Sequence, residues 1–300
     1  MSAALIACDW GSTHLRAWTL DAGGAVVDRR DFPFGVNLIA PGEAEAKFRD
    51  AVRPALSAER LPAILCGGVG SNIGWRTVPY VDCPARLEAV GAGLLQVADR
   101  TWIAPGLRCQ GLGEACDVLR GEETLVFGWI ALDPARQRGR HLVCQPGTHG
   151  KWLVVEDGRV TRFLSAFTGE LYAVLSAHSI LRSSGQGNDL AVFDQGLEAA
   201  ADGDGLVNRL YTARSRVAGQ GASQESTADY LSGLLIGAEV AATPRLLGLE
   251  GAPVALVGDA ALCDRYARAL DRRGVAVTRH EGEPAVRAGL FALARMGGLI

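Results

Sequence analysis

Aspartate, glycine and two hydroxyls follow an apolar strand near the start of the chain, in Leu5-Ile6-Ala7-Cys8-Asp9-Trp10-Gly11-Ser12-Thr13. A second strand carrying Arg16 comes next, then an Asp21–Gly24 turn and Ala25–Val27. The pattern recurs in Leu142-Val143-Cys144-Gln145-Pro146-Gly147-Thr148-His149, Lys151–Val155, the turn Glu156–Gly158 and Arg159–Thr161. Gly11 falls on Gly147, and Ser12 on Thr148. Hairpin tips of this composition offer backbone N–H groups and a hydroxyl, and glycine lets an anion approach the main chain. They suit a grip on nucleotide phosphates by Gly11, Ser12 and Thr13 and by Gly147, Thr148, His149 and Lys151, whose cation would stabilise phosphate charge. Asp9, at a strand end, can hold the water shell of a magnesium ion. Gln145 takes its place in the second copy, which leaves Asp9 as the metal-side acid. Arg16 can reach a transferring phosphate or a substrate carboxylate. His149 suits a phosphate contact or the packing of its own turn.

Three further groups carry chemistry. Glu122 and Glu123 open an otherwise apolar helix just before a polar stretch. Adjacent helical residues diverge by about 100°, so one of the two can face a reacting hydroxyl as general base or metal-water ligand. Both also suit the positive end of a helix dipole with no catalytic part. The loop Gly67–Trp75 follows a strand and bares backbone at its glycines. Gly70, Ser71, Asn72 and the flat ring of Trp75 suit a polyhydroxylated acid. Its spacing departs from the dinucleotide fingerprint. Thr168-Gly169-Glu170 starts a helix, with Thr168 as cap. Other patterns fail: Trp152 follows Gly150-Lys151, so no Walker A exists, and no Gly-x-Ser-x-Gly elbow surrounds any serine.

The elements that position these residues alternate strand and helix, the pattern of an α/β fold. Helices are expected at Glu43–Leu56, with Phe48, Val52 and Leu56 on one stripe, and at Glu122–Leu132, buried between layers. Further helices are expected at Glu170–Leu181, Leu190–Tyr211, Thr227–Ala242, Ala261–Arg273 and Pro284–Met296, the last packing across a domain junction. Ser183–Asp189 reads as a loop. Strands are expected at Ala63–Cys66, Pro253–Val257 and Val275–Thr278. The polar stretch Asp133–Arg140 marks a boundary between domains 1–138 and 139–300, and 300 residues suit two domains.

A hydrophobic content of 48% supports substantial cores. A net charge of −3 argues against nucleic acid or anionic membrane as partner. Neither a signal peptide nor a membrane span is expected. Seven scattered cysteines without a Cys-x-x-Cys read as buried thiols of a reducing cytoplasm.

Taken together, these segments resemble the sugar kinase/actin/Hsp70 superfamily, and more closely the 2-dehydro-3-deoxygalactonokinases. The resemblance runs nearly end to end. It rests on Asp9–Thr13, Gly67–Trp75, Arg120–Thr124, Pro146–Trp152, Thr168–Glu170 and Ser232–Glu239, in that order. It implies a two-domain actin-like ATPase (ribonuclease H-like) fold with an inter-domain cleft. It implies ATP and Mg2+, and a sugar-acid substrate phosphorylated on its terminal hydroxyl in galactonate catabolism. Thr168 and Glu170 would face the cleft as substrate or phosphate contacts. Gly258-Asp259-Ala260 stands at the superfamily's adenosine position, where Gly-Gly is usual. Gly233 and Gly237 would pack against the same adenosine or against another helix. The Gly-x-Glu-Glu stretch also resembles exopolyphosphatase-type phosphohydrolases, which use a Glu there, and this points to Glu123. Such a phosphohydrolase is the same-fold alternative, disfavoured by the Gly67–Trp75 loop. A non-catalytic sugar sensor is the other, disfavoured by a chain expected to open directly on the first hairpin strand. The exact epimer and the oligomeric state, homo-oligomer included, stay open.

Overall fold

The computed structural model describes residues 2–183 and 188–300, so most of the Ser183–Asp189 loop lies outside the described residues. The chain divides into two compact units. One holds residues up to Arg140, Val155–Arg162 and Glu281–Ile300; the other holds His141–Val154 and Phe163–His280.

The first unit is built on strands β1 (Ala3–Trp10), β2 (Leu15–Asp21), β3 (Val26–Phe32) and β4 (Ala63–Cys66). Leu5 to Cys8 are fully enclosed, as an unbroken apolar run demands of a strand covered on both faces. β1 pairs antiparallel with β2 and parallel with β4, setting Asp9 opposite both Arg16 and Cys66. Between β3 and β4 the chain is helical over 44–55: α1 (Ala44–Lys47), a π-helical turn at Phe48–Val52 and α2 (Arg53–Ala55). Phe48, Val52 and Leu56 enter one core with Ile6, Cys8 and Leu65. Next come β5 (Val81–Asp82), α3 (Leu87–Ala92), β6 (Leu95–Ala98), β7 (Thr101–Ile103), β8 (Leu107–Gln110), β9 (Cys116–Leu119) and α4 (Glu122–Ala131). The main sheet runs β3-β2-β1-β4-β7-β6, and β5-β8-β9 form a small sheet of their own.

The second unit repeats the plan. β10 (Arg140–Gln145), β11 (Gly150–Glu156) and β12 (Arg159–Ala166) lead into α5 (Thr168–His178). Helices α6 (Leu190–Ala199), α7 (Leu206–Gln220) and α8 (Thr227–Leu246) precede β13 (Val254–Gly258), α9 (Ala260–Asp271) and β14 (Val277–Glu281). The sheet order β12-β11-β10-β13-β14 matches β3-β2-β1-β4-β7 strand for strand. The two hairpins therefore hold the same place in each sheet.

Two expectations need correction. The continuous helix over Leu190–Tyr211 is two helices. The apolar spacing runs on, but Arg209 binds the Asp202 carboxylate at 2.5 Å and the Asp204 carbonyl at 2.7 Å, holding a turn there. The final helix, α10 (Gly282–Met296), counts with the first unit rather than with domain 139–300. It packs on α4 through paired glycines. A Cβ on Gly128 would lie 1.7 Å from the Ala285 carbonyl oxygen, and one on Gly289 1.9 Å from that of Thr124. Only glycine admits such an approach.

Candidate active site

In the first unit the fold gathers residues from four segments. A Cβ on Gly67 would sit 2.7 Å from the Trp10 carbonyl oxygen and 3.5 Å from the Asp9 carboxylate, and one on Gly121 would sit 3.1 Å from Gly67 Cα. Both glycines have positive φ, +92° and +107°. The end of β1, the glycine loop and the start of α4 therefore meet backbone to backbone.

Arg16 donates to Asp9 at 2.5 Å, with Asp9 mostly covered and Arg16 half-exposed. Arg16 thus first serves Asp9. Gly11 N–H closes the turn on the His14 carbonyl oxygen at 3.0 Å, leaving Ser12 and Thr13 exposed. A magnesium ion carried by phosphates takes one or two carboxylates and keeps several waters, and Asp9 fits that demand. Among the described residues no cluster of three His, Cys, Asp or Glu could hold a metal by itself.

The adjacent glutamates are separated. Glu123 is fully enclosed: one oxygen accepts from Gly121 N–H at 2.6 Å, the other from the Thr124 hydroxyl at 2.8 Å. Burial raises its carboxyl to about 7. Glu122 is partly exposed and accepts from Arg120 N–H at 2.9 Å.

In the loop, Ser71 Oγ donates to the Gly68 carbonyl at 2.7 Å and Asn72 is exposed. Trp75 turns toward the core and tilts on Phe48 at 5.7 Å. Gly70 is buried against Arg120, Ile103 and Val78.

In the second unit, the turn between β10 and β11 holds Gly147, Thr148 and His149. Glu170 N–H donates to the Thr148 carbonyl at 2.8 Å, and a Cβ on Gly169 would meet the Gly147 carbonyl oxygen at 2.3 Å. The hairpin tip and the start of α5 are thus one construction. His149 bonds Glu170 at 2.6 Å and stacks on Phe167 at 4.9 Å. Lys151 is buried and donates to Ser165 at 2.6 Å.

Thr168 is not a cap, since α5 starts on it without a side-chain cap bond. Its hydroxyl serves Glu239 instead. Glu239 also accepts from Trp152 Nε1 at 2.7 Å and from the Tyr266 hydroxyl at 2.6 Å. Burial raises its carboxyl, with these three donors pulling the other way. Its oxygen lies 2.5 Å from where a Cβ on Gly150 would stand.

Beside this turn lies a cavity of about 250 Å³, lined by Gly147, Thr168, Gly169, Tyr172, Ser232, Leu235, Ile236, Leu262, Arg265 and Tyr266. Gly258 and Asp259 do not line it. Asp259 caps α9, accepting from Leu262 N–H at 3.0 Å. Gly233 and Gly237 face α6: their Cβ atoms would fall 2.0 Å from the Phe193 carbonyl oxygen and 3.2 Å from Leu197. Of the two packings open to that glycine pair, the helix–helix one is realised.

Comparison with known proteins places the chain. The sequence profile of the 2-keto-3-deoxy-galactonokinase family matches residues 9–293. The chain belongs to this family. Its relatives include the 2-dehydro-3-deoxygalactonokinase of Escherichia coli K12, 36% identical over 98% of both chains. A crystal structure from Sinorhizobium meliloti, of a protein provisionally described as a 2-dehydro-3-deoxygalactonokinase, superposes with a TM-score of 0.84. It is 33% identical over 97% of this chain and 98% of the other. The actin-like fold is shared more distantly. The ADPNP-bound activator of 2-hydroxyisocaproyl-CoA dehydratase from Clostridium difficile superposes at 0.52 with 14% identity, over 99% of this chain and 96% of that one.

Four residues were given no role of their own in the sequence: Arg120, Glu239, Tyr172 and Arg265. Glu239 had a signal, a lone carboxylate amid the apolar stretch Leu234–Ala242. Arg120 stood next to the Glu pair. Tyr172 and Arg265 had none, because only folding brings α5 and α9 to one cavity.

Proposed function

We propose that this protein is an ATP-dependent kinase that phosphorylates 2-dehydro-3-deoxy-D-galactonate on its terminal hydroxyl, giving the 6-phosphate. Family membership supports the activity and substrate class. The observation in the molecule that carries the reading is the first unit's gathering of Asp9, the Gly67–Trp75 loop and Glu122.

The second unit takes the nucleotide. The turn Gly147–His149 with Gly169 offers main-chain N–H groups to phosphate, and the adjoining cavity takes the nucleoside. Tyr172 and Arg265 wall it. Arg265 is steadied by Ser232 at 3.2 Å and by the Phe193 ring at 5.1 Å. The first unit takes the sugar acid on the Gly67–Trp75 loop.

Glu122, the glutamate of the pair with exposed surface, receives the proton of the terminal hydroxyl. That oxygen bonds to the γ-phosphorus as the bond from phosphorus to the β–γ bridging oxygen breaks, and ADP leaves. Magnesium, its water shell on Asp9, would neutralise phosphate charge. Glu123, with both oxygens committed within its own turn, fixes the start of α4 and holds Glu122 in place. The exopolyphosphatase alternative has no use for the loop and no support among the relatives.

The test is ADP release, coupled to a reporter enzyme, across a panel of 2-keto-3-deoxy acids with polyphosphate as control. Turnover restricted to the hexonates is expected. Polyphosphate hydrolysis with no response to any keto-deoxy acid would overturn the reading.

A further inference from the structure

His149 stands on the tip of the second hairpin, in the place that Thr13 holds on the first. Behind it, in the first turn of α5, lies Glu170. His149 Nε2 and a Glu170 carboxylate oxygen are 2.6 Å apart, and both side chains are 41% exposed. A carboxylate only accepts, so Nε2 donates. The imidazole lies along the Phe167 ring, with centroids 4.9 Å apart and planes 21° from parallel. Phe167 is itself 59% exposed. Glu170 reaches the same tip a second time, its N–H donating to the Thr148 carbonyl at 2.8 Å.

Stability does not account for this arrangement. None of the three side chains is buried. An exposed ion pair contributes little, and an aromatic ring left in water gains little from burial. What the carboxylate and the phenyl ring achieve is to fix the plane of the imidazole. Nε2 is spent on Glu170, so a ligand in the turn meets Nδ1. The glycines of the same tip, Gly147 and Gly169, also line the cavity assigned to the nucleoside. A nucleotide seated there carries its phosphates past the tip.

We propose that His149 is a catalytic residue of phosphoryl transfer: held by Glu170, it donates from Nδ1 to the terminal phosphates of ATP and stabilises the charge that gathers on the β-phosphate as ADP leaves. This deepens the kinase reading above and rests on it. A phosphate oxygen accepts, so a ring bonded both to it and to Glu170 donates from both nitrogens. Such a ring is an imidazolium with a full positive charge. As the bond from the γ-phosphorus to the bridging oxygen breaks, its electron pair stays on that oxygen. A cation already in place there helps the transition state more than the ground state. No proton moves in this step, and the ring keeps both of its own. Glu170 is a positioning residue, acting on the nucleotide only through His149.

The experiment uses the full chain, with ADP release from the keto-deoxy hexonate and calorimetric binding of ATP and of adenosine. His149→Ala should lower kcat by about 100-fold, the scale for removing one preorganised donor, with KM for the sugar acid unmoved. Its adenosine affinity should match wild type, because the cavity is untouched. His149→Gln, which can keep a donor but no charge, should fall between the two and serves if alanine disturbs the turn. Glu170→Ala should lower kcat by about 10-fold, within the range for residues that act as a unit with another. Glu170→Gln, whose carbonyl still accepts from Nε2, should recover most of that loss. The double alanine variant should be no slower than His149→Ala. A kcat for both His149 variants within about threefold of wild type would overturn the proposal. So would losses that multiply in the double variant, or adenosine affinity that falls along with kcat, which would make the pair a strut of the turn. Wild type that turns over no keto-deoxy acid would sink the kinase reading itself, and this assignment with it.

Discussion

Glu123→Gln should make the first unit more stable than wild type at pH 8 and nearly equal to it at pH 5. Glu123 titrates at about 7 in the folded chain against an ordinary 4.5, because it is buried. Its folded form keeps a proton that the unfolded chain has released across that interval. Stability is therefore whole below pH 4.5, falls as pH rises toward 7, and stays at its lower level above. That gap corresponds to about 3 kcal/mol, most of it lost between pH 5 and 8. Glutamine does not titrate, so the variant escapes this loss. It can also keep the local bonds. Its oxygen accepts from Gly121 N–H, its amide donates to Thr124 Oγ, and the freed hydroxyl proton turns to Cys66, which Thr124 already contacts. The assay is urea unfolding of both chains from pH 5 to 8.5. Tryptophan emission serves, since Trp10, Trp18, Trp75, Trp102 and Trp129 all belong to the first unit. Other carboxylates titrate alike in the two proteins and cancel in the difference. A stability difference that stays flat with pH, or that shrinks toward pH 8, would refute the reasoning.

Glu122→Gln should lower kcat by at least about 100-fold with sugar-acid KM little changed, as loss of a general base does; steady-state kinetics beside Glu123→Gln, which should keep most of its turnover, decide which glutamate reacts. Asp9→Asn should abolish turnover while the circular dichroism stays native, whereas Gln145→Ala, its counterpart in the repeat, should be much milder. Glu239→Gln loses one of three buried acceptor bonds and should cost about 1–3 kcal/mol, read as a lower urea midpoint, with KM for ATP raised and KM for the sugar acid unmoved. Gly289→Val drives a side chain into the Thr124 carbonyl and should cost at least about 3 kcal/mol, measured as a fall in the thermal midpoint of the first unit.

The elements that carry strong local patterns were readable in advance. The hairpins announced themselves twice through apolar strands ending in small polar tips, and the sheets place both copies alike. The Phe48–Val52–Leu56 stripe predicted its own burial. What escaped was decided by tertiary partners. Periodicity carried through residues 200–205 although Arg209 holds a turn there. Trp75 offered a sugar-binding face in the sequence but packs on Phe48. Gly233 and Gly237 suited a nucleoside or a helix, and only the position of α6 chose between them. In the Glu122–Glu123 pair, the 100° rule foretold that the two would differ. Burial and bonding from Gly121 and Thr124 determined which one was enclosed.

The seating of α10 against α4 bears on the order in which the chain can become a protein. The first unit's buried helix finds its partner some 160 residues downstream. A chain leaving the ribosome at about 5–20 residues per second completes the whole second unit before α10 appears. Until then Gly128 and Thr124 lack the backbone that fills the groove beside them, and apolar α4 has an uncovered side. The second unit, a nearly continuous run from His141 to His280, suffers no such wait. The first part made is thus the last part finished. Nascent chains stopped near residue 280 are the stage at which chaperone capture and aggregation should concentrate.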